Sequence, residues 1–150
     1  MLLAIRRSLL IKKELIEIDE FDRGPRNVMN YGHSFGHAIE TATDYGIPHG
    51  IAITIGMDLA NFVAGNIGVS DMSHFQRMHP ILRKNYESFA NFPISADKLL
   101  DALKRDKKNL ATTLRLVLPD KFGKINICNL DASQALESSV RTFLNAFRLS

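Results

Sequence analysis

The sequence predicts a mainly helical domain with one small β-hairpin near its C-terminus. Most segments place apolar residues at helical spacing, and only "LRLVLP" and "KINICNL" change to the pattern of strands, around the turn "DKFG". With 150 residues, of which 45% are hydrophobic, the chain can bury one core of ordinary size. We therefore expect residues 1–150 to form a single helical domain.

The predicted helices follow one another with Gly and Pro between them. Helix one covers about Leu2 to Ile18 and ends at the loop "DEFDRGP". Helix two covers about Arg26 to Thr43, and the turn "DYGIPHG" leads to a buried helix of about Gly50 to Ala64. A further helix covers about Ser73 to Ala90 and must bend or restart near Pro80. The next helix has Ser95 as its N-cap. The last helix begins with a capping box of Asp131 and Gln134 and runs to about Arg148.

Composition and charge exclude several classes of protein. The 19 Lys and Arg residues and 16 Asp and Glu residues are spread along the chain and leave a net charge of +3, so no basic stripe predicts nucleic-acid binding. The first stretch, "MLLAIRRSLLIKKELIEIDE", mixes apolar and charged residues and matches neither a signal peptide nor a membrane span. Cys128 is the only cysteine, which excludes an intramolecular disulfide. We expect a cytoplasmic protein without a nucleic-acid or membrane partner.

The stretch "RNVMNYGHSFGHAIE" carries most of the functional information. At about 100° per residue, Arg26, Asn30, His33 and His37 share an arc of roughly 60° on helix two, opposite its apolar face. Two glycines, at positions 32 and 36, lie one turn apart in the same helix, and each costs about 1 kcal/mol relative to Ala. That cost predicts that another backbone or a ligand comes close to this helix.

A third histidine, His49, stands just before the buried helix. Together with His33 and His37 it could hold a divalent ion such as zinc, although three histidines alone leave the choice of metal open. The alternative is that His33 and His37 are core or interface histidines satisfied by hydrogen bonds, which is the commoner case for an arbitrary pair at this spacing. Three features favour the metal site: Arg26 and Asn30 on the same face, the paired glycines, and "PHG" at the start of a helix.

The same residues carry a family resemblance. "RNVMNYGHSFGHAIE" followed by "PHGIAITIGMDLA" resembles the metal-binding signature of the dehydroquinate synthase family of sugar-phosphate cyclases. "IRRSLLIKKELIEIDEFDRGPR" is similar to the helix and acidic loop that precede this signature, and "KRDKKN" with "LRLVLPDKFGK" to a lysine-bearing segment that follows it. The similar segments keep the family's order and cover nearly the whole chain. The resemblance implies the helical C-terminal domain of that family, which binds metal and substrate.

The resemblance also implies a role for individual residues. His33 and His49 would be metal ligands, for zinc or cobalt, and His37 would lie beside the metal as a catalytic or substrate-contacting residue. Arg26 and Asn30 would bind the carboxylate and hydroxyls of the substrate, with Asn30 counted among the catalytic residues. Lys12 matches a catalytic lysine that contacts substrate. Either Lys107 or Lys108 would reach the phosphate or carboxylate of the substrate. Asp22 stands where the family has a glutamate.

The implied reaction is that of a 3-dehydroquinate synthase, a lyase of the shikimate pathway of aromatic amino acid biosynthesis. Bound NAD transiently oxidises a hydroxyl of a seven-carbon sugar phosphate, phosphate leaves, the hydride returns, and an intramolecular aldol step closes the ring, while a metal polarises the reacting hydroxyl. The family binds NAD in an N-terminal α/β domain that also supplies a glutamate ligand, and this sequence contains no dinucleotide-binding pattern.

We therefore expect the C-terminal half of such an enzyme, inactive alone. It would be a fragment, a truncated product or one partner of a split enzyme, and a homodimer when complete. Leu3, Ile5, Leu9 and Leu10 would be exposed apolar residues that pack on the missing half.

Three alternatives stay open. Ile51 follows "HG" where dehydroquinate synthases have an acidic residue, which favours a relative that acts on another phosphorylated sugar, as cyclases for cyclitols and aminocyclitols do. Glycerol dehydrogenases and iron-dependent alcohol dehydrogenases share the domain design and similar histidine segments, but they do not usually combine the Arg26–Asn30 spacing with "DKK". A non-catalytic helical domain, retained for dimerisation or partner binding, is a third possibility.

Overall fold

A computed structural model describes residues 2–21, 24–105 and 113–148. It confirms a mainly helical chain with one antiparallel hairpin near the C-terminus. The helices are α1 (Leu2–Ile18), α2 (His33–Ala42), α3 (His49–Asn66), α4 (Met72–Asn85), α5 (Ala96–Arg105) and α6 (Gln134–Phe143), with 3-10 segments at Pro25–Asn30 and Glu87–Phe89 and a π-helical turn at Leu144–Arg148. The strands are β1 (Thr113–Pro119) and β2 (Ile125–Asp131).

The core is built around α3. From Ala52 to Ala64 every residue of this helix except Met57 is buried, as its continuous apolar run predicts for a helix surrounded on all sides. Helices α2, α4 and α6 and strand β1 pack against it, and α5 packs on α2. The position of α2, which carries two of the three conspicuous histidines, is therefore fixed by contacts on two sides.

Glycines bring α2 and α3 into backbone contact. A Cβ atom added to Gly36 would lie 3.0 Å from Ile53 Cα, and one added to Gly56 would lie 2.2 Å from the Gly32 carbonyl oxygen. Only glycine leaves room for such an approach. The expected close approach at the paired glycines is thereby confirmed, and its partner is the backbone of α3.

The prediction of one helix from Arg26 to Thr43 is wrong in its first part. Residues Pro25–Asn30 form a 3-10 segment, and Gly32 adopts a φ of 78° before α2 begins at His33. A residue in this left-handed conformation cannot continue a right-handed helix. Arg26 and Asn30 therefore do not belong to the helical face that carries His33 and His37, and the predicted four-residue stripe does not exist.

The other boundaries differ less from the prediction. Helix α4 runs through Pro80 without a restart and ends at Asn85. Ser95 caps α5 as predicted, since its Oγ accepts a hydrogen bond of 3.3 Å from Lys98 N. The last helix is capped by Ser133 instead of Asp131, because it is the Ser133 Oγ that accepts from Leu136 N.

Helix α1 buries none of its residues. Most of its apolar side chains, including the predicted Leu3, Ile5, Leu9 and Leu10, are exposed, and its main contact within the described residues is with the 3-10 segment. Apolar side chains on this scale are typical of a surface that another element or partner covers.

In the described part of the chain, no helix combines the length and the apolar character that crossing a membrane requires.

Candidate metal centre

Three histidine rings converge where α2 and α3 begin. His33 is the first residue of α2, His37 lies one turn further along it, and His49 is the first residue of α3. The ring centroids are 5.6 Å apart for His33 and His37, 5.9 Å for His33 and His49, and 5.9 Å for His37 and His49. The backbone contact between α2 and α3 thus brings together all three histidines singled out in the sequence.

Two of these rings have one nitrogen engaged by an oxygen. His33 Nδ1 lies 3.3 Å from the Tyr31 carbonyl oxygen, and His49 Nδ1 lies 3.1 Å from Glu40 Oε1. A carbonyl or a carboxylate only accepts, so each contact is a hydrogen bond when Nδ1 carries the proton, and Nε2 is the unprotonated nitrogen of that tautomer. Among the described residues the ring of His37 has no hydrogen-bonding partner.

The cluster has the chemistry of a divalent-metal site. One donor atom each from His37, Glu40 and His49 can be chosen so that all three lie within 4.8 Å of one another. Imidazole nitrogen and carboxylate oxygen are ligands that zinc and cobalt accept. Glu40 is the last residue of "RNVMNYGHSFGHAIE" but was not assigned a role from the sequence. Its position three residues after His37, on the same helical face, is the signal that could have identified it.

Other predicted site residues lie elsewhere or are not described. Arg26 donates from Nη1 to the Glu20 carbonyl oxygen at 2.8 Å, and its backbone N–H donates to Asp19 Oδ2 at 3.2 Å, so it is tied to the loop after α1. Asn30 ends the 3-10 segment, and Lys12 is exposed on α1. Lys107, Lys108 and Asp22 are outside the described residues.

A cavity of about 520 Å³ adjoins His37 between α2 and α5. Ser34 and Thr41 line it from α2, and Lys98, Asp101 and Arg105 line it from α5. Its volume suits a small ligand, and its wall offers hydroxyl groups and both signs of charge. Because Arg105 is the last residue of α5, the chain continues from this wall into the segment that contains the two predicted substrate lysines.

A buried polar network surrounds two residues of α3, Asp58 and Asn61. Tyr31 Oη donates to Asn61 Oδ1 at 2.6 Å, and burial raises the pKa of Tyr31 to about 12. Asp58, fully buried on α3, accepts hydrogen bonds from Tyr86 Oη and from His79 Nδ1, and desolvation raises its pKa. This network was not predicted from the sequence, although two polar residues three apart in an apolar run, Asp58 and Asn61, were a visible signal.

The sequence of the chain is similar to those of 3-dehydroquinate synthases. Residues 1–109 match the family model described as 3-dehydroquinate synthase C-terminal. The 3-dehydroquinate synthase of Dictyoglomus thermophilum is 38% identical over 136 residues, which are 89% of this chain and 38% of that enzyme. The 3-dehydroquinate synthase of Xanthomonas oryzae pv. oryzae is 37% identical over 132 residues, 83% of this chain and 35% of that enzyme.

A solved structure shares the fold. It is a crystal structure of 2-deoxy-scyllo-inosose synthase complexed with carbaglucose-6-phosphate, NAD+ and Co2+, and it superposes with a TM-score of 0.67 at 23% identity. The superposition covers 81% of this chain and 36% of that one. The chain thus spans little more than a third of the length of these relatives. By the match of its sequence to the family model, the chain belongs to the 3-dehydroquinate synthase C-terminal domain family.

Proposed function

We propose that this chain is the metal- and substrate-binding half of a sugar-phosphate cyclase similar to 3-dehydroquinate synthase. It would act on a seven-carbon sugar phosphate together with an NAD-binding half, in the same polypeptide or in another. The observation that carries this proposal is the convergence of His33, His37 and His49 at the start of α2 and α3. These are the residues that the family signature marks.

The proposed metal ligands in this chain are His33 and His49. The observation that supports them is the position of each Nδ1 beside an oxygen. This contact favours the tautomer in which Nε2 is the unprotonated nitrogen, the form in which an imidazole binds a metal. A bound divalent ion would polarise the substrate hydroxyl that becomes a carbonyl. His37 lies within 6 Å of both other rings by centroid, and its unengaged nitrogens suit a group that carries a proton to or from the substrate.

We place the substrate between this cluster and the cavity at α5. The cavity wall supplies Lys98 and Arg105 near the segment of Lys107 and Lys108, and a phosphorylated substrate needs such cations. Arg26 and Asn30, on the 3-10 segment, remain the proposed contacts for carboxylate and hydroxyl groups. Arg26 would have to release the Glu20 carbonyl oxygen or share its guanidinium with it, because Nη1 now donates there.

The NAD-binding half is proposed from four observations. The matched region is 38% of the length of the Dictyoglomus thermophilum enzyme, and the neighbour of known structure was crystallised with NAD+. Within the described residues the sheet consists of two antiparallel strands, which is not a dinucleotide-binding unit. The exposed apolar side chains of α1 offer a surface on which such a half could pack. NAD would supply the redox chemistry.

The test is to assay cyclase activity of the full chain with NAD, cobalt and a seven-carbon sugar phosphate, alone and after addition of the N-terminal half of a related synthase. We expect activity only in the mixture. No activity in either case, in a mixture shown to associate, would contradict the proposal and favour a helical interaction domain.

Two variants test the ligand assignment. His33→Ala and His49→Ala should each abolish metal binding in the completed site and leave the helix content, measured by circular dichroism, nearly unchanged. His74→Ala is the matched control, since His74 contacts the Lys121 carbonyl oxygen in the hairpin turn instead of the cluster. Full metal occupancy in either ligand variant would show that the assignment is wrong.

A further inference from the structure

The bond between His49 and Glu40 joins two helices. Glu40 lies in the last turn of α2 and His49 at the start of α3, and the Nδ1 to Oε1 distance is 3.1 Å. The side chain of Glu40 is 12% exposed and that of His49 is 59% exposed. The carboxylate is thus much less exposed than the imidazole that it contacts.

A carboxylate that is largely shielded from water is stabilised by a polar partner. Burial without a hydrogen bond costs an ionised group several kcal/mol, by order of magnitude. His49 Nδ1 supplies that bond, and the glycine contact between α2 and α3 fixes the two backbones from which the side chains extend. The pair is therefore held by both helices.

The same arrangement occurs at the other proposed ligand. His33 Nδ1 is met by a backbone carbonyl oxygen, and His49 Nδ1 by a carboxylate. These are the two usual outer partners of metal-binding histidines, where they fix the tautomer and the orientation of the ring. The ring of His37, for which no ligand role is proposed, has no such partner among the residues that the structure describes.

We infer that Glu40 is a positioning residue: it holds His49 in the Nδ1–H tautomer and so presents the His49 Nε2 lone pair to the metal. This inference rests on the proposed function for the identity of the ligand. In this role Glu40 does not bind the metal directly, although a carboxylate oxygen of Glu40 lies close enough to the donor atoms of His37 and His49 to do so.

The first test needs no metal. The full chain is labelled with nitrogen-15, and the tautomer of His49 is read from its two ring-nitrogen chemical shifts at a pH where the imidazoles are neutral. We expect the Nδ1–H form in the wild-type chain and in Glu40→Gln, whose amide oxygen still accepts, and loss of that preference in Glu40→Ala. The Nε2–H form in the wild type, or no change in Glu40→Ala, would overturn the inference.

The second test uses Co2+ alone as the probe. Glu40→Ala should lower the affinity for cobalt about 10- to 100-fold, Glu40→Gln should lower it less, and neither should change the ligand-field absorption spectrum of the bound ion. An equal loss in both variants together with a changed spectrum would make Glu40 a ligand and overturn the positioning role. Glu14→Gln, on exposed α1, controls for the loss of one negative charge.

The two tests separate the inference from the proposed function. A wild-type chain that binds no cobalt, even with the NAD-binding half present, would contradict the proposed metal site. The tautomer measurement would still decide whether Glu40 controls the ring of His49.

Discussion

Gly56 is the position at which α2 and α3 leave no room for a side chain. A Cβ atom there would lie 2.2 Å from the Gly32 carbonyl oxygen and 2.7 Å from Gly36 N. Both obstacles are backbone atoms, so neither can turn aside as the end of a flexible side chain can. Gly56→Ala therefore forces α2 away from α3 by about 1 Å, since a carbon and an oxygen approach to roughly 3.3 Å.

The expected net cost of Gly56→Ala is about 2 kcal/mol. Overpacking a tight interior costs typically 1 to 3 kcal/mol, and the upper end applies here because the contact is between two backbones. Replacing glycine by alanine inside a helix recovers about 1 kcal/mol. The displacement also separates His33 and His37 from His49, so the affinity for cobalt should fall as well.

Urea denaturation of the full chain measures this cost. Gly50→Ala is the matched control, because Gly50 lies in the same helix, next to His49, and a Cβ atom there meets nothing within 4 Å. We expect this control to be neutral or to stabilise by up to about 1 kcal/mol. A Gly56→Ala chain as stable as Gly50→Ala, at an unchanged denaturant slope, would refute the backbone contact.

Two further predictions concern the buried network. Burial raises the pKa of Tyr31 from 10.0 to about 12. The protonated phenol therefore stabilises the fold fully below pH 10. This contribution to the free energy of unfolding, about 3 kcal/mol at most, is lost as the pH rises towards 12. Denaturation at several alkaline pH values should show this decline in the wild type, and Tyr31→Phe should lack it. Tyr86→Phe should cost about 1 to 3 kcal/mol, because Asp58 keeps its buried carboxylate but loses a donor. An unchanged melting temperature would contradict that role, and Tyr45→Phe, at an exposed ring, is its control.

Local patterns were enough to predict the regular elements. The bounds of α1 coincide with those predicted, and α3 and the hairpin are each within two residues of the prediction. Each of these elements has a sustained apolar pattern. The period of that pattern distinguishes a helix from a strand, and its length indicates where the element begins and ends. The paired glycines also predicted a close approach, since their cost in a helix needs a compensating contact.

The start of α2 could not be predicted in the same way. A helical wheel assumes an unbroken helix, whereas Gly32 reverses the sign of φ and thereby separates the 3-10 segment from α2. Nothing in the local pattern distinguishes this glycine from Gly36, which stays helical. The bonds from His79 and Tyr86 to Asp58 span 21 and 28 residues, so they depend on how α3 and α4 pack.

The histidines stand on a rigid scaffold. His33 and His49 are the first residues of helices whose later turns are buried in the core, so their backbones are fixed while the ring of His49 remains largely exposed. The 3-10 segment that leads into α2 also contacts α1, whose apolar side chains are exposed. A partner that covers α1 would therefore be placed beside the cluster. Under the proposed function, excluding water there would strengthen the electrostatic action of the site on its substrate.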